Sequence, residues 1–312
     1  CLLSRGSRVR LAPIAPFLHQ RLLMTGGLFS VPEVFERSGD VKRKLIAGLM
    51  AVLALGGTPA VYAAEEHAEA TAAEVQELSE NYTESAEPRL FPWVGLTLRA
   101  EDHRRVLREG GRVLAWGSYP EIIMEGDDYP VLKRALRNWS MEQKRAWENS
   151  AENMGEAARE LRPAAPYYEY TVVDRWGRVD DEVVSFALRY EDYAGGAHPL
   201  HAMIAENIHA ETGENISIDE VVNGREILLT ALAEAFRTQY PGREKDLFAQ
   251  DIDEALDQVH IDDNWQTSIN WMLDANNDLV VFYNPYEIGP YSSGSFELTV
   301  RRDAFPEVFR LI

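Results

Sequence analysis

Lys42-Arg43-Lys44, followed at once by an apolar run from Leu45 to Leu55, divides this chain in two and sets the compartment its fold must survive in. Gly56, Gly57 and Pro59 break the run, and Val61-Tyr62-Ala63 offers small residues at the two positions a signal peptidase inspects. Basic, apolar, small is the order of a secretory signal, with cleavage expected after Ala63. The run is shorter than the about 20 apolar residues that span a bilayer. The alternative is a membrane anchor left uncleaved over residues 45–64. Residues 1–40 are read as an upstream extension outside the native protein, with Val41 as a valine-coded start. The rival reading is a cytoplasmic arm.

A periplasmic protein meets an oxidising environment, yet the sole cysteine is Cys1, ahead of the signal. The exported part therefore uses no disulfide, thiolate metal site or cysteine nucleophile, and its stability must come from its core. Its 249 residues suffice, since a chain of that size buries roughly 70–75% of its unfolded surface. The whole sequence carries 31 basic and 51 acidic residues; removing the eight basic and three acidic residues of 1–63 leaves 23 and 48, a net charge of −25. Such a chain repels nucleic acid and anionic lipid and attracts cationic partners.

Ala64 to Pro88 is rich in Ala and Glu with no strong apolar face, and reads as a linker. Phe91–Leu98 is the first expected strand. Arg112–Trp116 and Tyr119–Met124 follow as two short strands split by Gly117. Leu132, Leu136, Trp139, Trp147, Met154, Ala158 and Leu161 recur at helical spacing, and Pro163 and Pro166 stop that helix. Tyr167–Val173 and Val183–Tyr190 read as a hairpin turning at Asp174–Arg178. His201–His209 is a further strand and Ile216–Ile218 a short one. Ile227, Leu228, Ala231, Leu232, Ala235 and Phe236 mark a helix capped by Asn223 or Gly224, and Leu247 to Val259 marks one or two more. Trp271–Asp274, Leu279–Tyr283 and Phe296–Val300 close the chain as strands, with Asn276-Asn277-Asp278 turning the first pair. Asp303 is expected to cap a last short helix over Phe305–Phe309. Hairpins with helices between them predict an α+β fold of antiparallel sheets with packed helices.

Two stretches carry a family resemblance. One runs from Ser185 to Tyr190, through Tyr193-Ala194-Gly195-Gly196-Ala197-His198-Pro199, to Thr212-Gly213 and Ile216–Val221. The other joins Leu279–Tyr283 to Asn284-Pro285-Tyr286-Glu287-Ile288-Gly289-Pro290-Tyr291, then Gly294, Phe296 and Leu298. Together they resemble the C-terminal domain of the RsiV-like, lysozyme-sensing anti-sigma factors. The segment before them is similar to a module of PdaC-like peptidoglycan deacetylases. The resemblance implies two modules, 89–192 PdaC-like and 193–312 RsiV-like, and a protein-recognition role. It does not extend to a deacetylase catalytic domain or to a sigma-binding helix ahead of the apolar run.

The same residues carry the chemistry. Gly195 and Gly196 permit positive φ or a close backbone approach, so their segment is either a tight link between strands or a loop that presents Tyr193 and His198. His198 and His201 are three apart with Pro199 between, which on a strand points them to opposite faces and leaves a metal site without a third ligand. Tyr286, Glu287 and Tyr291 lie in a loop stiffened by Pro285 and Pro290; tyrosines there give contact area at low ordering cost, or else plug the core. Glu287 without a partner carboxylate is weak as a general acid or base. No cofactor and no metal is expected.

The expected ligand-binding residues are thus Tyr193, Gly195, Gly196, His198, Tyr286, Glu287 and Tyr291. The expected function is a periplasmic binding or sensor module rather than an enzyme. Its partner is a cationic extracytoplasmic protein such as lysozyme, or peptidoglycan. The alternative is a cell-wall glycan-binding accessory or a hydrolase- or deacetylase-related enzyme with His198 and Glu287 in one pocket.

Overall fold

The computed structural model describes residues 88–91, 94–195, 198–260 and 265–310. The expected signal segment, the extension before it and the Ala/Glu-rich linker lie outside the described residues, as do Gly196 and Ala197. Among the described residues no helix is long and apolar enough to cross a membrane.

The chain is α+β, as its hairpin pattern predicts. Six strands, β1 (Arg89–Phe91), β2 (Leu96–Glu109), β3 (Arg112–Glu125), β4 (Tyr167–Val179), β5 (Val183–Tyr193) and β6 (Leu200–His209), form one sheet in sequence order. Every pair is antiparallel except β3–β4, which run parallel because helix α1 (Pro130–Leu161) crosses between them. Helices α2 (Ile218–Val221), α3 (Arg225–Gln239), α4 (Ile252–Val259) and α5 (Trp265–Ser268) precede a second, antiparallel sheet of β7 (Trp271–Leu273), β8 (Leu279–Tyr283) and β9 (Phe296–Val300).

Strand periodicity dictates the layers. In β5, Val184, Phe186 and Leu188 point to α1 and pack with its Leu132, Leu136 and Trp139. Ala187, on the opposite face, meets Met272, Val280 and Phe282 of the small sheet. The other face of the small sheet, with Leu273, Val281, Tyr283, Phe296 and Leu298, packs on Leu228, Leu232 and Phe236 of α3 and Leu256 of α4. The order is therefore helix, large sheet, small sheet, helices.

Side chains join the two sheets at their edges. Asn207 Nδ2 donates to Trp271 O (2.7 Å), and Leu273 N donates to Ser185 Oγ (3.0 Å), which itself donates to Asn207 Oδ1 (2.7 Å). In return, Asn270 and Asn284 satisfy the outward backbone of β6: Ala205 N donates to Asn270 Oδ1 (2.9 Å) and Met203 N to Asn284 Oδ1 (2.7 Å). Buried edge groups are thereby paired without fusing the sheets.

Five local expectations are corrected. β2 runs on to Glu109, through charges that hide its strand character. β3 is one strand and not two, since Gly117 is no break: a Cβ there would lie 1.8 Å from Glu169 O and 2.4 Å from the Trp147 indole nitrogen. The β4–β5 hairpin turns at 180–182, where Asp180 Oδ1 accepts from Glu182 N and Val183 N, rather than at Asp174–Arg178. Gly177 sits mid-strand because a Cβ would meet Leu273 O at 2.0 Å. Ile216–Ile218 is not a strand: Ser217 and Glu220 form a capping box and Ile218 opens α2. Asp303 pairs with Arg301 instead of capping, and only a 3₁₀ turn, Pro306–Val308, follows.

Candidate functional site

The site grows from two loops that neighbouring sheets bring together. The first, 194–199, links β5 to β6. The second, 284–295, links β8 to β9 and contains the 3₁₀ turn Tyr291–Ser293. The imidazole of His198 stacks on the ring of Tyr291, with centroids 3.7 Å apart and planes 21° apart. Tyr286 lies 5.8 Å from Tyr291, and its hydroxyl is 3.5 Å from His198 Nε2. Tyr291 donates to Pro199 O (2.9 Å), which leaves its oxygen to accept from His201 Nδ1 at 3.3 Å. Since Pro199 O is also 3.0 Å from His198 Nδ1, that nitrogen carries the proton and Nε2 is the acceptor facing Tyr286. The histidines are thus held by phenols and a carbonyl.

The second loop is held from several sides. Asn284 N donates to Glu287 Oε2 (3.0 Å), Glu287 N to Asn284 O (3.0 Å), and Tyr286 N to Gly289 O (2.9 Å). Phe248 N donates to Ile288 O (2.9 Å), Ser293 Oγ to Asp246 O (2.7 Å) and Arg243 Nη2 to Ser293 O (2.8 Å). This frame imposes φ 72° on Tyr286, a left-handed conformation that costs a residue with a Cβ roughly 1–2 kcal/mol, and leaves the side chain 53% exposed. A strained backbone that presents an aromatic ring to solvent is a site feature worth testing.

Of the sequence-expected residues, His198, Tyr286 and Tyr291 meet in this cluster. Glu287 stands beside it with one carboxylate oxygen closing the turn. Gly195 takes φ 91° in the first loop, and Gly196 lies outside the described residues. Tyr193 belongs to a neighbouring surface that the sequence reading missed. It is register-paired with Tyr168, which in turn pairs with Trp116, so three aromatic residues occupy aligned positions on β5, β4 and β3. Tyr168 is 4.8 Å from Trp116 and 5.9 Å from Tyr193, with planes 28° and 29° apart. Next to this row runs a polar one, Arg104, Ser118, Tyr170, Glu191 and His201, each opposite the next on β2 to β6. The hydroxyls of Tyr168 (2.7 Å) and Tyr170 (2.8 Å) both donate to the Glu191 carboxylate. Burial and that carboxylate push the Tyr168 phenol well above its ordinary range, so it remains a donor. The polar row ends at His201, which touches Tyr291; sheet face and loops therefore form a floor and a wall. The alternation in Tyr168-Glu169-Tyr170 was the available signal, but it shows its worth only once Trp116 and Tyr193 are known to lie alongside.

Behind the floor, on the α1 side, Glu169 lies opposite Asp192. Ser150 (2.5 Å) and Tyr190 (3.3 Å) donate to Glu169 Oε2. Burial raises both carboxyls, Asp192 to about 6, with the neighbouring Glu169 adding to the effect. This pair supports the helix contact and does not reach the wall. Among the described residues, one constellation has metal-ligand chemistry: Glu101, His103 and Glu121, with ligand atoms within 4.8 Å of one another. Its members are engaged already, Glu101 with Arg99 and His103 Nε2 with Glu121 Oε2 at 2.6 Å.

No curated protein matches the chain. Solved structures that resemble it include two of the DUF3298 family. A member of the DUF3298 family from Bacteroides fragilis is 16% identical with a TM-score of 0.48, over 70% of this chain and 95% of that one. A DUF3298 family protein from Pseudomonas aeruginosa is also 16% identical, with a TM-score of 0.45, over 69% of this chain and 94% of that one. The family profile described as "protein of unknown function (DUF3298)" matches residues 216–303, which span α2 to β9 and include the whole wall loop. Residues 216–303 of this chain are accordingly a DUF3298 domain.

Proposed function

We propose that the protein is a periplasmic recognition module of the RsiV-like kind, preceded by a PdaC-like module, and that it binds a cationic extracytoplasmic protein such as lysozyme. The observation that carries this reading is the meeting of His198 with Tyr286 and Tyr291, from loops far apart in sequence, with the backbone of the Tyr286 loop held by its own network of hydrogen bonds. A pre-ordered aromatic patch keeps the entropic cost of association low. The −25 charge of the exported part speeds encounter with a basic partner. The secretory order of residues 42–63 puts such partners within reach.

Titration calorimetry with lysozyme tests it. Binding is expected at low ionic strength, weaker at high salt, and about tenfold weaker for Tyr286→Ala, a loss of about 1.4 kcal/mol. Absence of heat at low salt with the folded protein would sink the lysozyme reading. Recovery of intact, unprocessed chain from the cytosolic fraction would sink the compartment on which it depends.

A further inference from the structure

We infer that the outer edge of β2 is a self-association surface, which pairs antiparallel with the β2 edge of a second copy of this chain about a two-fold axis at His103. Among the described residues, β1 covers that edge only over 96–98, while β3 occupies the opposite edge along 97–109. Pro88, directly before β1, offers no backbone donor to extend the cover. At the far end the β2–β3 register shifts between Leu107 and Arg108, and a bulge of that kind ends regular pairing. Residues 99–107 are therefore a regular edge that no described strand covers, and His103 is its midpoint. Such an edge presents N–H and C=O groups with which another strand can pair.

Charges along an edge usually keep other strands away. Here their order admits one partner. Glu101-Asp102-His103-Arg104-Arg105 reads acid, acid, histidine, base, base. An antiparallel copy centred on His103 sets Glu101 opposite Arg105 of the second copy, and Asp102 opposite its Arg104. Opposed residues share a sheet face, and the two-fold axis repeats each pair. Further out, Ala100 faces Val106, which is 42% exposed and gains an apolar neighbour. His103 meets its own copy on the axis, each imidazole held by Glu121 of its own chain at 2.6 Å. Arg105 is exposed, and among the described residues its hydrogen bonds go to neutral oxygens, Arg104 O (2.8 Å) and Tyr119 Oη (3.3 Å), so its charge is available to a carboxylate. Regular antiparallel pairing slips in steps of two residues, because only alternate residues turn their backbone groups to the edge. A slip one way sets Asp102 against Asp102 and Arg99 against Arg105; a slip the other way sets Arg104 against Arg104. The charges thus select one register. β2 and β6 lie near opposite ends of the sheet order, so this contact does not use the His198–Tyr291 wall.

Analytical ultracentrifugation of the folded protein tests the inference. An edge contact is smaller than a standard interface, so a weak dimer is expected, populated at about 100 μM in low salt and dissociating as salt is raised. Glu101→Arg and Arg105→Glu should each weaken it at least about tenfold, since either reversal sets like charges against each other on both sides of the axis. An equimolar mixture of these two variants should dimerise again, because every opposed pair then carries unlike charges. If either variant fails to fold, hydrogen exchange of the native protein reads the same contact: amides within 99–107 should gain protection as concentration rises. Tyr286→Ala should leave the dimer intact while weakening lysozyme binding, so each reading can fail alone. A native protein that stays monomeric in low salt, a dimer whose 99–107 amides exchange unchanged, or reversal variants that dimerise like the native chain would overturn the inference. Equal protection of those amides at every concentration would also overturn it, by showing that the edge is covered from within the chain.

Discussion

One face of β4, β5 and β6 shows two behaviours. Where it carries Gly177, Ser185, Ala187, Ala205 and Asn207, the small sheet packs directly against it. A few residues along, the same face carries Tyr168, Tyr170, Glu191 and Tyr193, and no described strand covers it. Small residues let a second backbone approach, while large amphipathic ones hold it off and keep a surface wet. Residue size along a single face thus decides where the core ends and a solvent-facing surface begins.

The comparison breaks most severely at Gly177. A Cβ there would fall 2.0 Å from Leu273 O and 2.4 Å from Met272 Cε, and backbone cannot yield as a flexible side chain can. Gly177→Val should destabilise the protein by about 3–4 kcal/mol in chemical denaturation, among the larger effects single substitutions produce. A loss below about 1 kcal/mol would mean that the closed half does not depend on this close approach. Asn207→Leu should cost less, about 2–3 kcal/mol, because it keeps the volume but leaves Trp271 O without its side-chain donor and the Ser185 hydroxyl without its acceptor. Asn207→Asp, which keeps the acceptor but removes the donor, should fall no closer to the native protein than the leucine variant.

This division of the face was only partly legible in the sequence. Alternation found β5, β7, β8 and β9, and helical spacing found α1 and α3, because each pattern is local. Gly117 and Gly177 read as breaks, yet both permit contacts with backbone distant in sequence: Glu169 in one case, Leu273 in the other. Nothing local separates a glycine that turns the chain from one that admits a neighbour. The outer half of β2 stayed hidden because its charges mask its pleat. The wall residues His198, Tyr286 and Tyr291 were found because proline, glycine and aromatic residues cluster in each loop. The floor was missed because its members come from three strands, and only register brings them together.

The inward face behind the floor sharpens the contrast through pH. Asp192 sits opposite Glu169, its Oδ1 is buried without a hydrogen-bond partner, and desolvation is the main cause that raises its pKa from 3.8 to about 6, reinforced by Glu169 and opposed by the Tyr190 hydroxyl. A carboxyl whose folded pKa lies above its unfolded one favours folding while protonated. That contribution is complete below about pH 4 and is lost as pH rises through about 6. Asp192→Asn cannot ionise, so it should gain about 1–2 kcal/mol over the native protein at pH 7.5 and nothing at pH 4. Denaturation midpoints at the two pH values measure this, and an equal difference at both would show that the carboxyl does not titrate in this window.

The smallest stability effect belongs to the residue that separates wall from core best. Tyr286 holds φ 72° with its ring 53% exposed, so the backbone bears a cost that the side chain recovers only in part, through contacts with His198 and Tyr291. Glycine takes that φ freely, although it also gains entropy in the unfolded chain. For Tyr286→Gly these contributions offset, and the net change should lie within about 1 kcal/mol of zero. Tyr286→Ala keeps the strained backbone and loses the ring, so it should be less stable than the glycine variant while losing the same ligand contact. If both variants bind lysozyme equally weakly but differ in stability in that order, the ring serves recognition and the strain comes from the loop that presents it. Destabilisation of the glycine variant by several kcal/mol would instead make Tyr286 a packing residue, and the wall would be an extension of the core.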